Sequence, residues 1–272
     1  MKKSYLSLTL LTLAASGATS LFAQGIPTKQ PTFLHIFRES VKTGRAGDHE
    51  KWEAGWPAAF EKAKSKFTYV AFSSITGPQE VWFVSPLANQ AAFADMVALE
   101  NDPTLAPELE RLSKGDAEFI SDLSALQAVA VPDLSHGAFP DISKMRYYEI
   151  TTFHVKPGYY QEWVAASKAY ASAAARSAPN ASWRTYDVVA GAPGGTYLVF
   201  SSVESFAEFD RMAAEGEATW KGMTADESAA LGKFMREGLA KTVTQRFRIE
   251  PAMSYVDAAT KAKDPAFWGK KP

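Results

Sequence analysis

An α+β fold in which one unit occurs twice is what this sequence predicts, on three observations. VKTGRAGDHEKW at 41–52 and HVKPGYYQEW at 154–163 share valine, lysine, a turn-former and glycine, then a short polar run ending in tryptophan. Strand-like and helix-like segments follow each phrase in the same order. Glycine and proline interrupt both copies at matching places, as a repeat requires.

The second copy has the cleaner pattern. MRYYEITTFHV is rich in β-branched and aromatic residues and ends at Lys156-Pro157-Gly158, so it reads as a strand. From Tyr159 the period becomes helical, with Tyr159, Trp163, Ala166, Tyr170 and Ala174 on one stripe, and the helix ends near Pro179-Asn180. SWRTYDVVA and GTYLVFSS flank Gly191-Ala192-Pro193-Gly194 and read as a hairpin. Helix is expected next around Phe206, Phe209 and Ala213 and again over 225–242, before the strand TVTQRFRIEP.

The first copy follows suit. TFLHIFRESV is a strand, and Trp52, Trp56 and Phe60 form a helical stripe that Pro57 should kink. TYVAFSS and EVWFVS flank Gly77-Pro78. Ser85 and Pro86 look like an N-cap and first helical residue before Phe93 and Met96. Helix over about 105–125 precedes the strand LQAVAVP. Each copy is therefore β-α-β-β-α-β with an extra helical piece, the ferredoxin-like plan. A sheet covered by helices on one face must bury the other, and two such faces opposed make a barrel.

The expected organisation is a signal peptide at 1–23, a linker at 24–31, repeats at 32–136 and 145–257 joined by a linker at 137–144, and a C-terminal tail at 258–272. Lys2 and Lys3, the apolar Tyr5 to Ala15 and the small Ala23 form a bacterial secretory signal, with an apolar stretch too short for a membrane span. The expected location is periplasmic or secreted. The absence of cysteine excludes disulfides, thiolate metal sites and a lipoprotein anchor. Without residues 1–23 the chain holds 27 basic and 30 acidic side chains, a net charge of −3. That balance offers nothing to nucleic acid or an anionic membrane. A small apolar or aromatic molecule is the expected partner, and a homo-oligomer is compatible with the chain.

YYEITTFHVKPGYYQEWV at 147–164 resembles the opening strand, turn and helix of the NIPSNAP-like and antibiotic-biosynthesis-monooxygenase-like families, the dimeric α/β-barrel proteins. The resemblance covers both repeats, most of 32–257, and implies an intramolecular dimeric α/β barrel. The haem-degrading relatives carry an asparagine on the pocket-facing parity, where this chain has Phe37 and Thr151. The resemblance therefore implies no haem, and no cofactor is expected.

Alternation in the opening strands then assigns faces. Ile36 and Ile150 hold equivalent positions, and an apolar residue at both places fits the helix-packed face. The opposite parity, including Phe37 and Glu39 in one copy and Tyr147, Glu149, Thr151 and Phe153 in the other, should face a cavity between the repeats. His35 and Glu149 then make a candidate proton-transfer pair. Phe37, Glu39, Tyr147, Thr151 and Arg184 are the candidate substrate contacts. The bland alternative makes His35 a core histidine and pairs Glu149 with an arginine such as Arg184. His49 should face solvent near a helix start. No pair of histidines four apart marks a metal site, and none is expected; a mixed histidine and carboxylate site stays open. No G-x-S-x-G element is present. Three readings follow: a cofactor-independent monooxygenase-like enzyme on an apolar or aromatic substrate, a non-catalytic binding protein, and a structural or interaction domain.

Overall fold

In the computed structural model, which describes residues 25–270, eight strands close into one antiparallel ring. They are β1 (Phe33–Val41), β2 (Val70–Ser74), β3 (Glu80–Leu87), β4 (Ile120–Ala130), β5 (Tyr147–Val155), β6 (Arg184–Ala190), β7 (Thr196–Val203) and β8 (Leu239–Ile249). Around the ring the order is β1-β3-β2-β8-β5-β7-β6-β4. The first four strands are thus neighbours of one another, as are the last four. Two seams join the quartets: Phe72–Ser74 against Ile249–Phe247, and β4 against β6. The segment expected to be a signal peptide lies outside the described residues.

The helices wrap the ring from outside. Between β1 and β2 run α1 (Ala46–Glu53) and α2 (Gly55–Lys62); between β3 and β4 run α3 (Gln90–Glu100) and α4 (Ala106–Asp116). The second quartet carries α5 (Tyr160–Ser177), α6 (Glu208–Lys221) and α7 (Ala225–Lys233). The break between α1 and α2 answers to Pro57, which has no N–H to give the Glu53 carbonyl. Gly44 and Gly158 end the two opening turns at φ +80° and +89°, which side-chain-bearing residues rarely adopt.

Two expectations about elements are corrected. Ser85 and Pro86 belong to β3, and Asn89 caps α3, its side chain accepting a hydrogen bond from the Ala92 N–H at 2.9 Å. The segment expected to be a tail forms α8 (Ala258–Lys263) and α9 (Pro265–Trp268) and returns to the barrel. Trp268 is buried there, with its indole N–H on the Ser143 carbonyl at 3.0 Å.

The face assignment is inverted. Leu34, Ile36, Phe72, Trp82, Leu126, Tyr148, Ile150, Tyr186, Phe200 and Phe247 form one cluster drawn from all eight strands together with their neighbours, and this is the barrel interior. Rings meet across the seam: Phe72 and Tyr148 at 4.7 Å, Trp82 and Phe247 at 5.1 Å. The interior is packed, with a void of about 90 Å³ at one end beside Leu34, Phe139, Tyr148 and Arg184. The parity that holds His35 and Glu149 therefore faces the helices.

Candidate functional site

The helix layer over the first quartet does not seal against the sheet. A chamber of about 400 Å³ lies between them, walled by Phe37 and Phe83 from the strands, Trp56 and Phe60 from α2, Met96 and Leu109 from α3 and α4, and Phe67 and Tyr69 ahead of β2. Its rings contact one another: Trp56 and Phe60 at 6.4 Å, Phe60 and Tyr69 at 5.9 Å, Tyr69 and Phe83 at 6.0 Å. Glu39 and Glu53 supply carboxylates to the same chamber.

Those carboxylates belong to a buried polar cluster. Glu39 points from β1 toward α1, where His49 Nε2 lies 2.8 Å from its Oε2. Glu53 sits one helical turn beyond His49, on the same face of α1. Asp116, the last residue of α4, brings its Oδ1 to 3.8 Å from His49 Nε2. His49, Glu53 and Asp116 are 1, 4 and 3 % exposed. One donor atom from each of the four lies within 4.8 Å of the others.

The electrostatics follow from this crowding. Burial raises the Glu53 carboxyl well above its ordinary range, the Glu39 and Asp116 carboxylates push it further, and the Trp56 indole N–H partly offsets them. Asp116 is pushed up to about 6 by burial and by Glu39, with His49 pulling the other way. Burial raises the Tyr69 phenol too, followed by Glu53 and Glu39, and its hydroxyl has no hydrogen-bond partner. Among the described residues no lysine or arginine pairs with any of the three carboxylates.

The second quartet fills the corresponding space. Aligning β1 on β5 at Ile36 and Ile150 sets Glu39 against Phe153 and His49 against Trp163. Phe153 and Trp163 meet at 4.9 Å with their planes tilted, and Trp163 also meets Tyr197 at 5.1 Å and Phe234 at 5.3 Å. Apolar rings thus occupy in one half what a charged cluster occupies in the other.

The expected proton-transfer pair is not assembled. His35 packs edge-on to Phe37 and against Phe93 of α3, both at 4.7 Å, and its Nδ1 has no partner. Burial lowers its pKa, so it is a neutral core histidine. Glu149 lies under the other helix layer and pairs with Arg246 at 3.0 Å, whose guanidinium covers Phe209. β1 and β5 are not neighbours, and both side chains point out of the barrel, so they cannot share a cavity. Tyr147 packs on Phe206 and Phe209, and Thr151 shares a hydrogen bond with Thr244 at 2.9 Å. Arg184 holds a loop, donating to the carbonyls of His136, Trp183 and Gly137. Of the expected contacts, Phe37 and Glu39 alone line the chamber, from the helix side.

His49, Glu53 and Asp116 were missed. Sequence reasoning places His49 in solvent, and no pair of histidines four apart marks the site; HEKWE, a histidine and a glutamate at that spacing, is the available signal.

No protein-family model matches the chain, and no curated protein matches it. Solved structures do. A "putative monooxygenase" from Fusobacterium nucleatum aligns with TM-score 0.53 at 8 % identity over 80 % of this chain and 92 % of its own. The corresponding figures are 0.51, 6 %, 84 % and 97 % for a "putative monooxygenase" from Lactobacillus acidophilus NCFM. An "anthrone oxidase-like protein" gives 0.50, 12 %, 83 % and 94 %. At such identities the likeness extends to the fold and no further: this is a dimeric α/β barrel, closed within one chain.

Proposed function

We propose that this is an exported small-molecule-binding barrel, made of two tandem ferredoxin-like repeats, whose first-half chamber takes an apolar or aromatic molecule with a polar end. The strand orders β4-β1-β3-β2 and β8-β5-β7-β6 support the tandem reading, and the leader-like residues 1–23 support export. One observation carries the function. The roughly 400 Å³ chamber has aromatic walls and four carboxyl groups in its lining, Glu39, Glu53, Glu100 and Glu110, within the size range of ligand pockets. Flat rings suit Trp56, Phe60, Tyr69 and Phe83, while Glu39 or Glu53 accepts a hydrogen bond from a ligand hydroxyl.

A catalytic version is oxygenation of an electron-rich phenolic ring, in which the substrate supplies the electrons that reduce O2. The names of the structural neighbours favour it, and the chamber's aromatic walls would limit water around such a step.

Quenching of tryptophan fluorescence by 1-naphthol and by anthrone, with an oxygen electrode in parallel, tests both. Saturable quenching that weakens at least tenfold in Phe60→Ala is expected. Oxygen uptake with anthrone would mark a catalyst, and binding without uptake a carrier. No saturable quenching, or quenching indifferent to Phe60→Ala, would remove the chamber as the binding site.

A further inference from the structure

We infer that Glu39, His49, Glu53 and Asp116 bind a divalent first-row metal ion, with Mn2+ or Zn2+ as the fitting class. This goes beyond the chamber's organic ligand and needs only the four side chains.

Geometry comes first. An ion about 2.1 Å from each donor sets neighbouring donors roughly 3 Å apart and opposite ones roughly 4.2 Å apart. The four donor atoms here lie within 4.8 Å of one another, with the His49 Nε2 separations at 2.8 and 3.8 Å. Small rotamer shifts convert one arrangement into the other. One imidazole with three carboxylates suits a borderline to hard divalent cation and gives no thiolate to select a soft one.

Charge supplies the second argument. Three carboxylates face one another away from water, and His49 is the one basic side chain paired with any of them among the described residues. Buried charges are ordinarily paired or coordinated to a metal. Asp116, 3 % exposed, aims an Oδ1 without a hydrogen-bond donor into the cluster. Among the described residues no N–H or hydroxyl donor reaches that oxygen.

The two halves supply the third. Phe153 and Trp163 stand at the places of Glu39 and His49, so the second half closes the equivalent space with apolar rings. The cluster is a departure from that solution, confined to the half that keeps a chamber. Because Glu39 and Glu53 line the chamber, an ion would stand at its polar side.

The test uses the mature protein stripped with EDTA and titrated calorimetrically with MnCl2 and with ZnCl2. One ion per chain is expected, with Tm rising roughly 5–10 °C when the free ion is about a hundredfold above its Kd. Glu53→Gln and Asp116→Asn, which keep side-chain volume, should each weaken binding at least tenfold, whereas Phe60→Ala should bind the ion as the parent does. In the parent, pulsed EPR of bound Mn2+ should show coupling to a single imidazole nitrogen. Absence of saturable uptake of either ion by the parent, uptake unchanged in both carboxamide variants, or bound Mn2+ without nitrogen coupling would overturn the assignment. Loss of naphthol binding in Phe60→Ala with ion uptake intact separates this site from the chamber's wall.

Discussion

Replacing Gly115 with alanine tests how α4 is held against α1, and so how Asp116 reaches His49. A Cβ at Gly115 would lie 1.7 Å from Trp52 Cζ2, 2.0 Å from Cε2 and 2.4 Å from Nε1. Carbon atoms in contact sit about 3.5–4.0 Å apart, so the helices must part by roughly 2 Å or the indole must turn out. Overpacking of this kind costs about 1–3 kcal/mol. Turning the ring out also breaks the Trp52 N–H bond to the Leu112 carbonyl at 2.6 Å, worth about 1 kcal/mol. Against this, alanine gains about 1 kcal/mol of helix propensity over glycine. Collision wins: a net loss of roughly 1–3 kcal/mol, or a fall in Tm of about 2–12 °C for a chain of this size. Gly47 in α1 is the control, since a Cβ there meets nothing within 4 Å; Gly47→Ala should keep the propensity gain and melt slightly higher. Thermal melts by circular dichroism compare the two. A Gly115→Ala protein as stable as the parent would refute the packing argument.

Other outcomes are as specific. Ile36→Ala or Ile150→Ala, each emptying a place in the barrel interior, should cost about 2–5 kcal/mol by urea unfolding. His35→Leu, which removes an unpartnered buried nitrogen and tests the expected catalytic role, should be neutral or stabilising and leave naphthol binding unchanged. Glu227, held near pKa 2 chiefly by the Arg176 guanidinium, sits below its unfolded value. Its contribution to stability should be complete above about pH 4.5 and fade as pH falls toward 2, and Glu227→Gln should flatten that part of an acid titration of Tm.

Element order could be read in the chain because strand and helix periods, and the glycines of the turns, are local. Closure of the ring could be argued too, since each sheet has one face that its own helices leave bare. Which face that is could not. FLHIFRESV carries apolar residues on both parities, because one side meets the helices and the other the opposite sheet. Alternation then separates two faces without naming them, and the shared Ile36 and Ile150 were given to the wrong one. Everything placed by that choice moved with it, including His35 and Glu149. The cluster at His49 was hidden for a different reason. Glu39 and His49 are separated by a turn, and Asp116 arrives from a helix two strands later, so Glu39 joins the pair only when α1 packs on β1, and Asp116 only when α4 docks. The local part, His49 and Glu53 on one helical face, was there to be seen.

A closed ring of eight strands has little rim. Each strand has a hydrogen-bonded neighbour on both sides within the same molecule, but β4 and β8 overhang: residues 120–126 and 239–245 pair with one strand only. Another chain could add to the sheet only along those two overhangs; elsewhere a partner meets helices and loops. Ring closure thus confines to two short stretches the edge growth by which open β proteins coagulate.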